Sequence, residues 1–183
     1  MDLARVSAAV RELLSALGED VDSPRLSATP QRVAMSFREL LRGRDERLEV
    51  APLVLDPAPR LVALGPIAFT AVCEHHLLPF TGAAHAVILP DGGRLVGIGE
   101  VARVVEVFAC RLQLQERLGE EVADALEAIL APRGVMVHLT ARHGCLSDRG
   151  ERARSARFTT VSVRGVLAHD PALRSEALAE VRR

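Results

Sequence analysis

The chain has 183 residues, 49% of them hydrophobic and 26% charged, so it can bury the core of one domain and is not disordered. Twenty-three basic residues, all of them arginine, face 24 acidic ones, which excludes a globally basic nucleic-acid binder but not a local phosphate site. No apolar run approaches the roughly 20 residues that span a bilayer, and no signal-peptide core opens the chain, so a cytoplasmic protein with no membrane partner is expected.

Residues 4–17 place Val6, Val10, Leu13, Leu14 and Leu17 on one stripe at helical spacing. A second helix is expected from Thr29 as N-cap, with Pro30 in its first turn, an apolar face of Val33, Phe37, Leu40 and Leu41, and Gly43 as its stop. Residues 44–60 hold Pro52, Pro57, Pro59 and clustered charge and read as a connector. The expected division is therefore a helical N-terminal segment, 1–50, and a main body, 51–183.

The body opens with an extended stretch at 60–73, and 82–90 read as its partner strand before an Asp-Gly-Gly turn at 91–93. From 100 to 131 the period becomes helical, and a break near Leu112 makes two helices of it. Residues 134–143 and 156–167 read as two more strands, and 171–182 as a short terminal helix. A strand pair, long helices and a second strand pair predict an α+β fold: a four-stranded antiparallel sheet with two long helices on one face.

Three cysteines without an export signal are expected to be thiols or metal ligands. Cys73 and His76 are spaced so that one turn can aim a thiolate and an imidazole at one ion, and Cys145 follows another predicted strand. If those strand ends are neighbours, the three residues leave a fourth coordination position open, as a catalytic zinc requires. Spacing alone leaves this level with a second reading, in which the cysteines are small buried hydrophobes. His75 and His143 flank the cluster and either shuttle protons or orient ligands. Cys110, inside an apolar helix, reads as a core thiol.

Glu116, beside Gln115, could accept two parallel hydrogen bonds from an amidine-like edge such as that of guanine, though a helical Glu among Arg and Gln is ordinarily solvated. Between 142 and 164 six arginines (142, 149, 152, 154, 157 and 164) face Asp148 and Glu151, a local excess that suits polyphosphate or forms a solvated loop. Arg32 and Arg103 are isolated.

Four segments in one order resemble GTP cyclohydrolase I, of the tunnelling-fold superfamily: Thr-Pro-Gln-Arg at 29–32, Cys-Glu-His-His-Leu-Leu-Pro-Phe at 73–80, Arg-Leu-Gln-Leu-Gln-Glu-Arg-Leu at 111–118 and His-Gly-Cys-Leu-Ser-Asp-Arg-Gly at 143–150. The resemblance implies a zinc ion on Cys73, His76 and Cys145. It implies hydrolytic opening of the guanine imidazole ring of GTP at C8, loss of formate and reclosure to 7,8-dihydroneopterin triphosphate for pterin or folate synthesis. His143 and His75 match its proton-transfer residues, Gln115 and Glu116 its guanine-recognition pair, and Arg32, Arg103 and Arg149 its triphosphate arginines. The resemblance further implies a homo-oligomer, a decamer of two pentamers with sites between subunits.

One departure stands out. The family's Gly-Leu-Ser-Lys before the first long helix is Gly97-Ile98-Gly99-Glu100 here, so a hydroxyl is lost and a carboxylate replaces a cation beside the expected triphosphate. Two other readings therefore remain: a paralogue opening a less phosphorylated guanine nucleotide or another purine, and a non-catalytic zinc-containing oligomer that binds a purine. A nitrile-reducing relative from the same superfamily fits less well, because no nicotinamide-type Gly-rich loop is present.

Overall fold

The computed structural model describes residues 1–150 and 152–182. It divides into two compact units, Met1–Arg42 and Gly43–Arg183.

In the first unit, α1 (Leu3–Ala16) is capped by the Asp2 carboxylate, which accepts from the Arg5 amide at 3.0 Å. Its expected apolar stripe is only half covered, and Leu13 and Leu17 stay exposed. The helix α2 spans Thr29–Leu40, with Ala28 rather than Thr29 in the cap position. The Thr29 amide already donates to the Leu26 carbonyl at 2.8 Å, so the preceding turn winds straight into the helix and no side-chain cap is needed.

In the second unit a 3-10 turn at Arg42–Arg44 comes first, and Gly43 in it is a point of close approach. A Cβ on Gly43 would lie 2.0 Å from the Val107 carbonyl oxygen. The connector contains a two-residue strand, β1 (Leu53–Val54). Then follow β2 (Val62–Cys73), β3 (Pro79–Leu89), β4 (Arg94–Leu95), α3 (Ile98–Ala109), β5 (Leu112–Gln113), α4 (Gln115–Leu130), β6 (Gly134–His143), α5 (Gly144–Ser147), β7 (Phe158–Gly165), α6 (Val166–His169) and α7 (Pro171–Val181).

The main sheet runs β5-β2-β3-β6-β7. Its four long strands are antiparallel neighbours, as expected, and the expected helix break at Leu112 is real. The break carries more than a turn, however. Leu112 and Gln113 pair in parallel with Val72 and Cys73 and add a fifth strand, too short for any periodicity to reveal. β1 and β4 form a separate two-stranded sheet.

One face of the sheet packs against α3 and α4. Ala84, Ala86 and Ile88 of β3 and Val135, Val137 and Leu139 of β6 meet Val101, Val104, Leu118, Val122 and Leu126 there, all nearly or fully buried. The opposite face carries Val87, Leu89 and Met136 beneath Leu167 and Ala177 of α6 and α7. The end of β3 is thus covered on both faces, which explains an unbroken apolar run where one-sided burial would alternate.

Gly82 allows β3 and β6 to meet at full register: an added Cβ would lie 2.1 Å from the Thr140 carbonyl oxygen and 2.7 Å from Ala141 Cα. Both obstacles are backbone, so the strands would have to part. Gly82→Ala is expected to cost about 3 kcal/mol and to lower the midpoint of thermal unfolding by about 6–12 °C. A melt within about 2 °C of the parent would show that the sheet relaxes freely at this point.

Candidate active site

β3 lies between β2 and β6 in the sheet, and its register with both brings the site together. Phe80, near its start, pairs with Ala71 of β2 and with His143 of β6. The turn before β3 and the turn after β6 therefore emerge at the same end of the sheet.

The first turn is Cys73-Glu74-His75-His76. Its ends are fixed by the backbone: the Cys73 amide donates to the Leu78 carbonyl at 2.9 Å and the Leu77 amide to the Cys73 carbonyl at 2.8 Å. The second is the single helical turn α5, which places Cys145 two residues past the last strand residue. Gly144 lets this turn sit close, since a Cβ there would approach the Pro79 carbonyl oxygen to 2.9 Å. Donor atoms of Cys73, His76 and Cys145 consequently lie within 4.8 Å of one another.

This donor set fits a metal ion. Cys73 is buried, Cys145 half-buried and His76 exposed, so the cluster opens to one side. Burial pushes the Cys145 thiol up, and the neighbouring Cys73 sulfur adds to that shift. Two adjacent sulfurs that resist ionising together are the arrangement a cation relieves, and two thiolates with one imidazole suit a borderline-soft divalent ion with a vacant fourth position. Cys110, the third thiol, is buried at the end of α3, as expected of a core residue.

A cleft of about 270 Å³ surrounds the cluster, lined also by His75, His143, Gln115, Glu116 and Phe158. The His143 ring stacks on Phe80 at 4.6 Å and 3° and meets Phe158 edge-on at 5.7 Å. Burial lowers its basicity, and the nearby Glu116 carboxylate partly restores it. His75 lies exposed beside His76, with ring centroids 6.2 Å apart. Glu116 is exposed in the first turn of α4, whereas its neighbour Gln115 is buried. The Gln115 amide is fully engaged by protein groups: Oε1 meets His143 Nε2 at 2.8 Å, and Nε2 faces β6 and β7. Of the expected guanine-recognition pair, the structure thus leaves only Glu116 with a side chain free to meet a ligand.

A second set of residues escaped the sequence reading. Arg117 pairs with Glu74 in the metal turn, donates from Nε to Gln113 Oε1 at 3.0 Å and reaches the Leu112 carbonyl at 3.1 Å. Gln113 in turn donates to Glu121 at 2.6 Å and to the Phe108 carbonyl at 3.1 Å. The bond from Arg117 holds the Glu74 carboxyl below its ordinary range. This network ties the metal turn to the head of α4. Its local part, Gln113 at the end of β5 with Arg117 and Glu121 of α4, has the i, i+4 spacing that could have disclosed it, but the bond to Glu74 is a long-range contact with no local signal.

The expected phosphate arginines lie on or beside different elements. Arg32 is exposed on α2. Arg103 on α3 is held by Glu46 at 3.3 Å and by Glu100 at 3.7 Å, so the unexpected carboxylate at position 100 has an arginine partner. Arg149 follows α5 near the Cys145 thiol. The arginine-rich stretch is not one patch, because Arg142 pairs with Asp148 and Arg164 with Glu120 and Asp124 of α4. Glu151, counted among its acids, lies outside the described residues.

Residues 6–182 match the family model described as GTP cyclohydrolase I. The chain is 47% identical over 182 residues to GTP cyclohydrolase 1 of Leifsonia xyli subsp. xyli, a match covering 97% of this chain and 94% of that one. It is 44% identical to GTP cyclohydrolase 1 of Mycobacterium bovis, over 97% of this chain and 89% of that one. With the protein of the same name from Bacillus subtilis it shares 40% identity, over 98% and 95% of the two chains.

Proposed function

This chain belongs to the GTP cyclohydrolase I family, and from that premise we propose that its cleft opens the guanine imidazole ring of GTP at C8, releases formate and recloses the nucleotide as 7,8-dihydroneopterin triphosphate, a pterin precursor. The observation that carries the reading is the convergence of Cys73, His76 and Cys145 in one cleft with His143 and Glu116. The metal these three residues hold is zinc, and when bound it supplies a Lewis acid that makes water a competent nucleophile near neutral pH. Glu116 accepts hydrogen bonds from the N1–H and the 2-amino group of guanine. His143 moves a proton between water and the ring nitrogen that leaves C8, and its neutral state, favoured by burial, suits the accepting role. His75, exposed at the cleft mouth, is the second proton carrier.

The phosphates are held by Arg32, Arg103 and Arg149. Arg103 and Arg149 are not among the residues lining the cleft, whose volume falls just below the roughly 300–1,000 Å³ of ligand pockets. The site is therefore completed in a homo-oligomer, a decamer of two pentamers. Support comes from the sheet edges: β7 is a terminal strand with Phe158 and Val161 exposed, and β5 covers the opposite edge only at Val72 and Cys73. Two unlike open edges favour head-to-tail contact, which closes into rings.

Incubating zinc-loaded protein with GTP and analysing the products by mass spectrometry tests the reading. Dihydroneopterin triphosphate and formate are expected in equal amounts; intact GTP beside a converted GMP or guanosine would transfer the activity to a less phosphorylated substrate. The Glu100 departure gives a second test. Glu100→Lys frees Arg103 from one carboxylate and adds a cation, so the KM for GTP is expected to fall roughly fivefold with kcat unchanged. An unchanged or higher KM would place the phosphates away from the start of α3.

A further inference from the structure

Gln115 opens a surface helix and borders the cleft, yet it is 1% exposed. Its side chain turns under β6 and β7, where Nε2 lies 3.2 Å from the Leu139 carbonyl oxygen, 3.0 Å from that of Phe158 and 3.3 Å from Thr160 Oγ1. Carbonyl oxygens only accept, so the end of the amide facing them must be the one that carries hydrogens. That orientation leaves Oε1 pointing the other way, 2.8 Å from His143 Nε2. An amide oxygen also only accepts. The contact is a hydrogen bond only if His143 carries its hydrogen on Nε2.

A neutral imidazole with hydrogen on Nε2 has its lone pair on Nδ1, and Nδ1 has no hydrogen-bond partner among the described residues. Rotation of the ring is blocked by Phe80 stacked on one face and Phe158 set edge-on. We propose that Gln115 is a positioning residue: anchored by the two backbone carbonyls of β6 and β7, it holds His143 as the Nε2–H tautomer and leaves Nδ1 as the nitrogen that exchanges protons with the substrate. The arrangement has the logic of a catalytic pair with an orienting third group, where a wrong tautomer is costly although geometry is intact. Guanine recognition by a side chain at this turn then falls to Glu116. The link to turnover rests on the proton-transfer role given to His143 above; the tautomer itself does not.

The decisive readout needs no variant. In zinc-loaded protein labelled with ¹⁵N in the histidine rings, two-bond proton–nitrogen correlations report which nitrogen of each imidazole is protonated, and loss of one signal set in His143→Asn identifies the ring. The expected spectrum has His143 protonated at Nε2 and bare at Nδ1; the opposite pattern overturns the proposal. Gln115→Met removes both halves of the amide while keeping length and volume. It is expected to give a mixture of the two tautomers and to lower kcat on the order of 10²-fold while leaving the KM for GTP nearly unchanged. A raised KM with kcat and tautomer intact would make Gln115 a substrate-binding residue instead. If Gln115→Met does not fold, the parent spectrum still decides, and it does so even if GTP is not turned over.

Discussion

Stripping the metal with a chelator is expected to abolish formate release from GTP, and zinc added back is expected to restore it. Cys145→Ala should reproduce the loss permanently, with bound metal falling from one ion per chain to near none. The three donors come from two segments, with His76 and Cys145 69 residues apart in the chain, and meet only through the pairing of β3 with β2 and β6. Removing Cys145 leaves two donors on a single turn, a much weaker hold. A metal that activates water contributes several kcal/mol to the transition state, and about 4 kcal/mol corresponds to roughly 10³-fold in rate. Cys145 is half-buried on a one-turn helix, so the truncation should remove chemistry rather than fold. The control is Cys110→Ala, which alters a buried thiol at the end of α3 and is expected to retain metal and turnover. Metal content measured beside kcat separates the outcomes. Full activity in metal-free Cys145→Ala would end the assignment of this cluster to the reaction.

Much of this site is legible in the sequence, for reasons that differ from residue to residue. Cys73 and His76 are close enough in the chain for one turn to aim both at one ion, although spacing alone leaves that level with buried hydrophobes. Cys145 could be joined to them only on the condition that two strand ends are neighbours, and the register of Phe80 with His143 satisfies it. The strand at 134–143 is readable from its largely apolar run, which both faces of the sheet bury at its start. By contrast, β5 is two residues long and α5 a single turn, too short for periodicity to register, and both are functional joints. β5 seats the metal turn beside α4, and α5 delivers Cys145.

Gln115 shows the limit most clearly. In the chain it is a polar residue next to Glu116, and a polar pair reads as a recognition pair. Its burial depends on β6 and β7 lying beneath the head of α4, which no local pattern encodes. The same holds for Arg117 and Glu74, 43 residues apart and joined by an ion pair. Residues named by one motif thus separate, in three dimensions, into those that face the cleft and those that hold the others in place. Arg103 belongs to neither set within one chain. It is held by Glu46 and Glu100, and any phosphate brought to it would have to compete with both carboxylates.

Glu116 carries the other large expected effect. Replacing it by alanine should lower kcat/KM for GTP by about 10³-fold, and Glu116→Gln by nearly as much. The carboxylate stands exposed in the first turn of α4 and faces the cleft beside His143. A planar carboxylate offers two acceptors to the two donors on one edge of guanine, so truncation leaves N1–H and the 2-amino group unpaired in a partly dry pocket. The glutamine amide preserves shape but presents a donor to one of those donors, and for that reason it should not rescue. Discrimination among bases follows from the same geometry. Adenine offers an acceptor at N1 and lacks the 2-amino group, so ATP should be rejected by the parent enzyme, and ITP, which keeps N1–H alone, should fall between. If Glu116→Ala retained both its rate and its preference for GTP over ITP, the base would have to be read elsewhere. The backbone at the head of α4 would then be the next place to look, because the Gln115 side chain is already committed to His143.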